Sequence, residues 1–506
     1  MSEHSSHDSS RSSDASSDNA PLHDPASSTV TNDGPALART MGLGALIIYG
    51  VGDMLGAGVY SVIGRWAGTM GNALWMAFVA SMVAALLTGL SYASLGSRYP
   101  RAAGASFITH RAFHKPFLSY IVGLAVVASG LTSFATQSRA FSGYFLGLIG
   151  QSLPGAESAL PPANPLTVIA IILAFILALT FINFWGMRES TVLNLICTFV
   201  EVSGLIIVVI VGARFWGSVN YLEVPAAAQT SGSGVGGWFW PTFILQGAVL
   251  TFYSYVGFED MINVTEEVKD PRRNFPIAVM VALGITTLVY IAISITAVSV
   301  VPYQALAKSG QPLVDVVTTA APSFPREVFS FISLFAITNT ALLNYIMGSR
   351  LIYGMARQGF LPQFLGSVHP ARRTPHMAIL ALMLVVMVLA MSGSVGQLAA
   401  ATSVLLLTVF IIINAALVVL KRRADEPKGS FEIPTFVPIG GILVCAMMLY
   451  HVKAPAATPT DPHPYDPRLI ALALLLGIAA LYAIVRPLFL RHPSCIGRCC
   501  TAGSAV

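Results

Sequence analysis

Four carboxyl groups stand where a carboxyl group is costly. Asp53, Glu201, Glu259 and Asp260 fall inside long apolar runs, and an ionisable group in hydrocarbon is retained where it faces a cavity or a partner. Such a group can meet a cation, accept hydrogen bonds from unwound backbone, or carry a proton. Three of the four lie beside glycines. Asp53 is in GVGDMLGAGVY, residues 50–60, and Glu259 and Asp260 follow Gly257 in TFILQGAVLTFYSYVGFEDMINVTEEVKDPRRNFP. Glycine costs a helix interior about 1 kcal/mol relative to alanine, so both stretches read as interrupted helices.

The elements that position these residues are membrane helices. The chain of 506 residues is 55% hydrophobic and only 10% charged, with a mean hydropathy of +0.72. A soluble domain carries roughly 25% charged residues, so the class is an all-α polytopic membrane protein. Apolar runs of about 20 residues fall near 43–64, 72–95, 117–150, 165–184, 190–213, 240–262, 276–301, 326–353, 376–392, 396–420, 435–452 and 468–490, about twelve transmembrane helices. The third and eighth are long enough to tilt. Roughly 21 of the 28 Lys and Arg residues fall in alternate loops, and cations concentrate on the cytoplasmic side. Both termini are therefore expected in the cytoplasm of a multi-pass protein of the cell membrane, which agrees with an even number of spans.

Residues 1–38, rich in Ser and Asp, read as a disordered cytoplasmic tail without signal-peptide features. A transport core is expected over 39–422, two further transmembrane helices over 423–490, and a second cytoplasmic tail over 491–506. Of the five cysteines, Cys495, Cys499 and Cys500 in that tail read as reduced thiols, with lipidation or a metal cluster as alternatives.

The interrupted spans are the first and the sixth. Glycine breaks at corresponding positions of two halves point to a transporter binding site near mid-membrane, because freed backbone groups are tolerated there only where they line a cavity or meet a ligand. A half-helix N-terminus suits a carboxylate. Two other readings of GVGDMLGAG compete. No βαβ unit surrounds it, which argues against dinucleotide binding. Gly52 and Gly56 form a GxxxG pair, which can serve helix packing, but packing alone leaves Asp53 and the second break unexplained.

GxGxxxGAGVY in span one and YVGFEDMINVTEEVKDPRRNFPIAV across span six resemble the amino acid–polyamine–organocation superfamily, with most similarity to its cationic amino acid transporter and bacterial amino acid permease branches. RESTVLN, entering span five, and RLIYGMARQGFLP, closing span eight, fit the same pattern. The resemblance covers about residues 40–420. It implies a five-plus-five inverted repeat, helices 1 and 6 broken, plus two C-terminal helices. It also implies a substrate carboxylate held by backbone amides at Gly56, Ala57 and Gly58, flanked by Leu55 and Val59. The α-amino group would meet carbonyls around Asp53, Val256 and Gly257, with Tyr253 and Tyr255 closing over it as a gate. Spans one and six would rock against a scaffold that includes three, four, eight and nine.

Glu201 lies half-way along span five and, with neighbours including Thr198 and Gly204, forms a polar stripe at helical spacing. Proton-coupled members of the superfamily often carry lysine at what matches this position; glutamate here is a departure that still supplies a titratable group. Glu201 is the expected proton-coupling residue, a structural hydrogen-bonding role being the alternative. Asp53 either meets a cationic group of the substrate or ties down the unwound backbone. Glu259 matches an acidic position linked with gating and substrate contact. Asp260, its neighbour, would point to a different face of a helix and is not expected to contact substrate. Ser129, Ser133, Thr136 and Gln137 of span three read as helix-packing groups.

These features predict a secondary active transporter of amino acids working by alternating access and driven by protons. Sodium remains open, and an amino acid or polyamine exchanger is the alternative within transport. No nucleotide-binding motif is present, and neither HExxH nor GxSxG appears, so no enzyme activity, cofactor, catalytic residue or metal site is expected. A channel or a non-transporting sensor is the alternative of another class. The expected partners are a small-molecule amino acid, possibly cationic, and the lipid bilayer, with no nucleic acid; the sequence does not address oligomeric state.

Overall fold

A computed structural model describes residues 41–100, 104–152, 165–185, 187–225, 239–370, 372, 374–452 and 466–489. All of them belong to one compact unit, Arg39–Val506. The expected tails at 1–38 and 491–506, with Cys495, Cys499 and Cys500, lie outside the described residues.

Every apolar run becomes a helix, and among the described residues no named strand forms. Span one divides into α1 (Leu43–Leu55) and α2 (Ala57–Met70). Span two is α3 (Leu74–Arg98), followed by a short connecting helix α4 (Gly104–Phe113) and by α5 (Pro116–Ser152) as span three. Spans four and five are α6 (Pro165–Trp185) and α7 (Met187–Gly212). Span six begins as α8 (Phe239–Thr251), then continues as 3₁₀ segments over Phe252–Tyr255 and Asp260–Glu267. Span seven is α9 (Pro271–Val300). The short helices α10 (Tyr303–Lys308) and α11 (Pro312–Ala320) lead into α12 (Arg326–Arg357), which is span eight. Spans nine to twelve are α13 (His376–Ser392), α14 (Val395–Lys421), α15 (Phe436–Tyr450) and α16 (Pro467–Phe489).

Local signals set several of these boundaries. Pro271 and Pro312 occupy the first turns of α9 and α11, where a missing N–H costs nothing. Ser394 and Gln397 form a reciprocal capping box at the start of α14, satisfying two amide donors there.

Burial sorts the helices into centre and rim. The apolar stretch of α12 is 78% buried and that of α5 is 72%, against 28% for α6 and 17% for α16. Thus α5 and α12 form the centre, and they pack along one another. The rim helices present Leu166, Leu177 and Phe181, or Leu469, Leu472 and Leu476, outward. In water such a surface would drive aggregation; in lipid it is the expected exterior. Helices of this length and composition, with apolar rims, make the chain an integral membrane protein.

Outside the apolar layer, the segment between α14 and α15 ties back onto α3 and α4. Arg98 pairs with Glu432 at 2.6 Å and Arg111 with Glu426 at 3.0 Å. Tyr99 donates to the Glu426 carboxylate at 2.6 Å.

Candidate functional site

The two breaks differ in construction. In span one it is a single residue: α1 ends at Leu55, α2 begins at Ala57, and Gly56 between them has φ −53° and ψ −144°. No side chain caps α2, so its first amides carry the unsatisfied positive end of a helix. Gly56 is required by proximity. A Cβ placed there would stand 1.6 Å from Thr340 Oγ1 of α12. Gly52 likewise approaches Thr198 of α7, so the GxxxG pair does serve packing while its second glycine also forms the break.

In span six the chain leaves α-helical geometry from Phe252 to Glu267. Gly257 has φ +131°, a conformation open to glycine. A Cβ there would lie 3.0 Å from both the carbonyl carbon and Cγ of Asp53, so the two breaks touch at this point. Glu259 accepts a hydrogen bond from Gly257 N at 2.9 Å and so satisfies a donor freed by the unwinding. Tyr290 of α9 also joins the breaks: its hydroxyl meets the carbonyl of Met54 and that of Ser254.

Two small cavities open on this junction. The first is lined from span one by Asp53, Met54 and Gly58, and from span six by Tyr253, Val256 and Gly257. Ser133 of α5 and Thr340 and Asn344 of α12 complete it. The second is lined by Glu259 and Asp260 on one side and by Ser129, Gly130 and Met347 on another. Val256 and Asn344 line both. Each has a volume of about 10 Å³, the space of roughly one water.

Asp53 is 4% exposed, and its Oδ2 has no hydrogen-bond partner among the described residues. The backbone-tying role weighed for it leaves that oxygen unused. Tyr253 lines the cavity. Gln137 Nε2 donates to its hydroxyl at 2.5 Å, and Ser133 Oγ lies 3.1 Å away, so these groups of span three orient a cavity residue as well as packing helices. Tyr255 is placed otherwise. Its hydroxyl donates to the carbonyl of Phe78 in α3 at 3.2 Å, its ring packs edge-on against Tyr290, and it takes no part in the cavity lining. The segment is 3₁₀, and residues two apart on three residues per turn face different ways. Leu55 and Val59 are buried in the hydrophobic core rather than in the lining.

Asp260 also departs from its expected place: it shares the second cavity with Glu259. The expectation of different faces assumed one regular helix, but Glu259 lies in the turn over 256–259 that precedes the 3₁₀ segment starting at Asp260. Glu201 is fully buried and lines neither cavity. Its Oε2 accepts from Asn339 Nδ2 of α12 at 3.1 Å, its backbone carbonyl accepts from Tyr60 of α2 at 2.7 Å, and its Oε1 has no partner among the described residues. Asn339 also donates to Thr198.

Sequence reasoning missed Thr340 and Asn344. A signal existed: Asn339, Thr340 and Asn344 interrupt the apolar run of span eight, and polar groups in a span face the bundle interior.

The fold and the site define an all-helical integral membrane protein with two discontinuous spans meeting at a small cavity that Asp53 lines. The sequence profile of the amino acid permease family matches residues 42–480, and the chain belongs to that family. It is similar to the methylthioribose transporter of Bacillus subtilis, 26% identical over 82% of this chain and 88% of that protein. It is similar to the branched-chain amino acid permease BcaP of the same organism, 25% identical over 83% of this chain and 90% of that protein. It also resembles the vacuolar cationic amino acid transporter 4 of Arabidopsis thaliana, 27% identical over 79% of this chain and 66% of that protein.

Proposed function

We propose that this protein is a secondary active transporter that moves amino acids across the cell membrane by alternating access, driven by protons. One observation carries the reading: both broken spans, through Gly58 on one side and Val256 and Gly257 on the other, open on a single cavity that also holds Asp53. Backbone amides of Gly56, Ala57 and Gly58 take the substrate carboxylate at the uncapped N-terminus of α2. The α-ammonium lies among Asp53 and the carbonyls of Val256 and Gly257, with Tyr253 as the side wall. Relatives named for branched-chain and cationic amino acids support that substrate class.

A cavity of about one water is smaller than any amino acid, so the helices must move for substrate to enter. Touching breaks and a shared tyrosine give the moving parts a common joint. Glu201 takes and gives up the coupled proton, held by Asn339 on α12 and facing Tyr60 on α2, so its protonation acts where these helices meet. The distribution of Lys and Arg supports cytoplasmic termini.

Purified protein in liposomes, offered labelled amino acids with and without an inward proton gradient, tests the reading. Accumulation that needs the gradient supports it. Gradient-independent counterflow alone would make the protein an exchanger, and failure of every amino acid to bind would remove the assignment.

A further inference from the structure

The transport reading uses one cavity at the junction of the breaks; a second adjoins it. They share Val256 and Asn344 as a common wall. On one side stands Asp53, on the other Glu259 and Asp260, and no Lys or Arg lines either cavity among the described residues. Three carboxyl-bearing residues therefore face two adjoining spaces without a fixed cation. Asp53 Oδ2, with the residue 96% buried, has no partner among the described residues. A buried acceptor left unmatched is costly unless a ligand supplies the donor. Glu259 spends one oxygen on Gly257 N, and among the described residues Asp260 accepts from Asn263 at a long 3.4 Å.

The wall is made of side chains that can yield. Val256 contributes a small apolar group. Asn344 donates to the carbonyl of Thr340 at 2.9 Å, an ordinary hydrogen bond, and to Ser133 at a long 3.4 Å, so a turn of its amide gives up one full bond and one weak one. Gly130 and Gly348 back the second cavity, and neither occupies it with a side chain.

We propose that the second cavity is a subsite for a cationic side chain, and that the substrate is an amino acid with two positively charged groups. The α-ammonium is taken at Asp53 and the distal cation at Glu259 and Asp260, on either side of Val256. This rests on the transport reading, which places the α-carboxylate at Gly56–Gly58. It adds a requirement which that reading lacks: the distal charge must raise affinity.

L-lysine and L-norleucine differ only in the terminal ammonium, and they form the test pair. Full-length protein in liposomes is titrated with each, measuring binding and uptake. The proposal expects L-lysine to bind about tenfold or more tightly, the usual worth of a charged hydrogen bond. Asp260→Asn and Glu259→Gln should each shrink that preference severalfold, whereas Asp260→Glu keeps it. Equal affinity of the pair for the unmutated protein overturns the subsite, leaves amino acid transport standing, and does not depend on any variant folding. A preference unchanged in both neutral variants also overturns it. So does norleucine binding that rises to the lysine level with added sodium, since the cavity would then hold the ion. If neither amino acid binds, both the subsite and the transport reading fall.

Discussion

Tyr290 Oη lies 2.7 Å from the carbonyl oxygen of Ser254, and the same hydroxyl meets the carbonyl of Met54. A phenol has one proton, so it can donate to only one of these carbonyls at a time. The two carbonyls belong to the two broken spans. Tyr290 therefore holds both breaks together while leaving one acceptor open to a further donor. Tyr290→Phe removes this arrangement and keeps the ring packing against Phe78 and Tyr255. The expected result is a loss of about tenfold in substrate affinity, the usual cost of orphaning a buried acceptor, with the protein still folded. Titration of labelled substrate, beside a thermal melt, reads both.

Gly56→Ala should be severe. The added methyl would overlap Thr340 Oγ1, and packed interiors do not absorb such a clash without moving backbone. Uptake should fall to background with the melting temperature lowered. Thr340→Ala removes the overlapping oxygen, so the double variant should recover part of the lost stability, as coupled neighbours do. Additive losses would show that the clash is not the cause.

Glu201→Gln separates coupling from binding. The amide keeps the size of the side chain and can still accept from Asn339, but it cannot exchange a proton. Gradient-driven accumulation should drop by about tenfold or more, the scale of losing an essential proton carrier, while counterflow continues. Asn339→Ala should weaken coupling less, because it removes one hydrogen bond to the carboxylate and leaves the titrating group. Intact gradient-driven uptake in Glu201→Gln would end the role given to this residue.

The segment between α14 and α15 has its own pH dependence. Burial pushes the Glu432 carboxyl upward, but the Arg98 hydrogen bond, the Gly429 amide and the charges of Arg98 and Lys421 outweigh it, leaving the group below its ordinary 4.5. A folded-state value below the unfolded one means stability that is present above about pH 4.5 and lost as pH falls through the lower, folded value. Glu432→Gln should lower the melting temperature at neutral pH by a few degrees and flatten its decline in acid. A mutant curve parallel to that of the parent below pH 5 would contradict this assignment.

The spans were legible because crossing a bilayer demands about 20 apolar residues, a constraint written into composition. Both breaks were legible for a similar reason: Gly56 and Gly257 sit in glycine-rich or carboxylate-bearing stretches whose residues a helix interior or hydrocarbon penalises. What escaped was direction. Tyr253 and Tyr255 read alike, yet one faces Ser133 and the other Phe78, because residues two apart on a helix of either kind do not share a face. Asp260 was set apart from Glu259 by assuming one regular helix where the chain has a turn over 256–259. Thr340 and Asn344, four residues apart, share a face of α12, and the approach of α12 to the first break gives that face its place on the cavity.

The unequal construction of the two breaks has a mechanical consequence. Span one yields at one residue, between two complete helices, and so behaves as a stiff hinge pinned by Thr340. Span six is softened from Phe252 to Glu267, where hydrogen-bond geometry is poorer and compliance is spread over many residues. Strain from a bound ligand would relax mainly into the softer span. Amide exchange should therefore be faster around Val256–Asp260 than around Gly56, and substrate should slow it more there. The molecule is thus a lever with one rigid arm and one pliant arm, joined where Asp53 rests on Gly257.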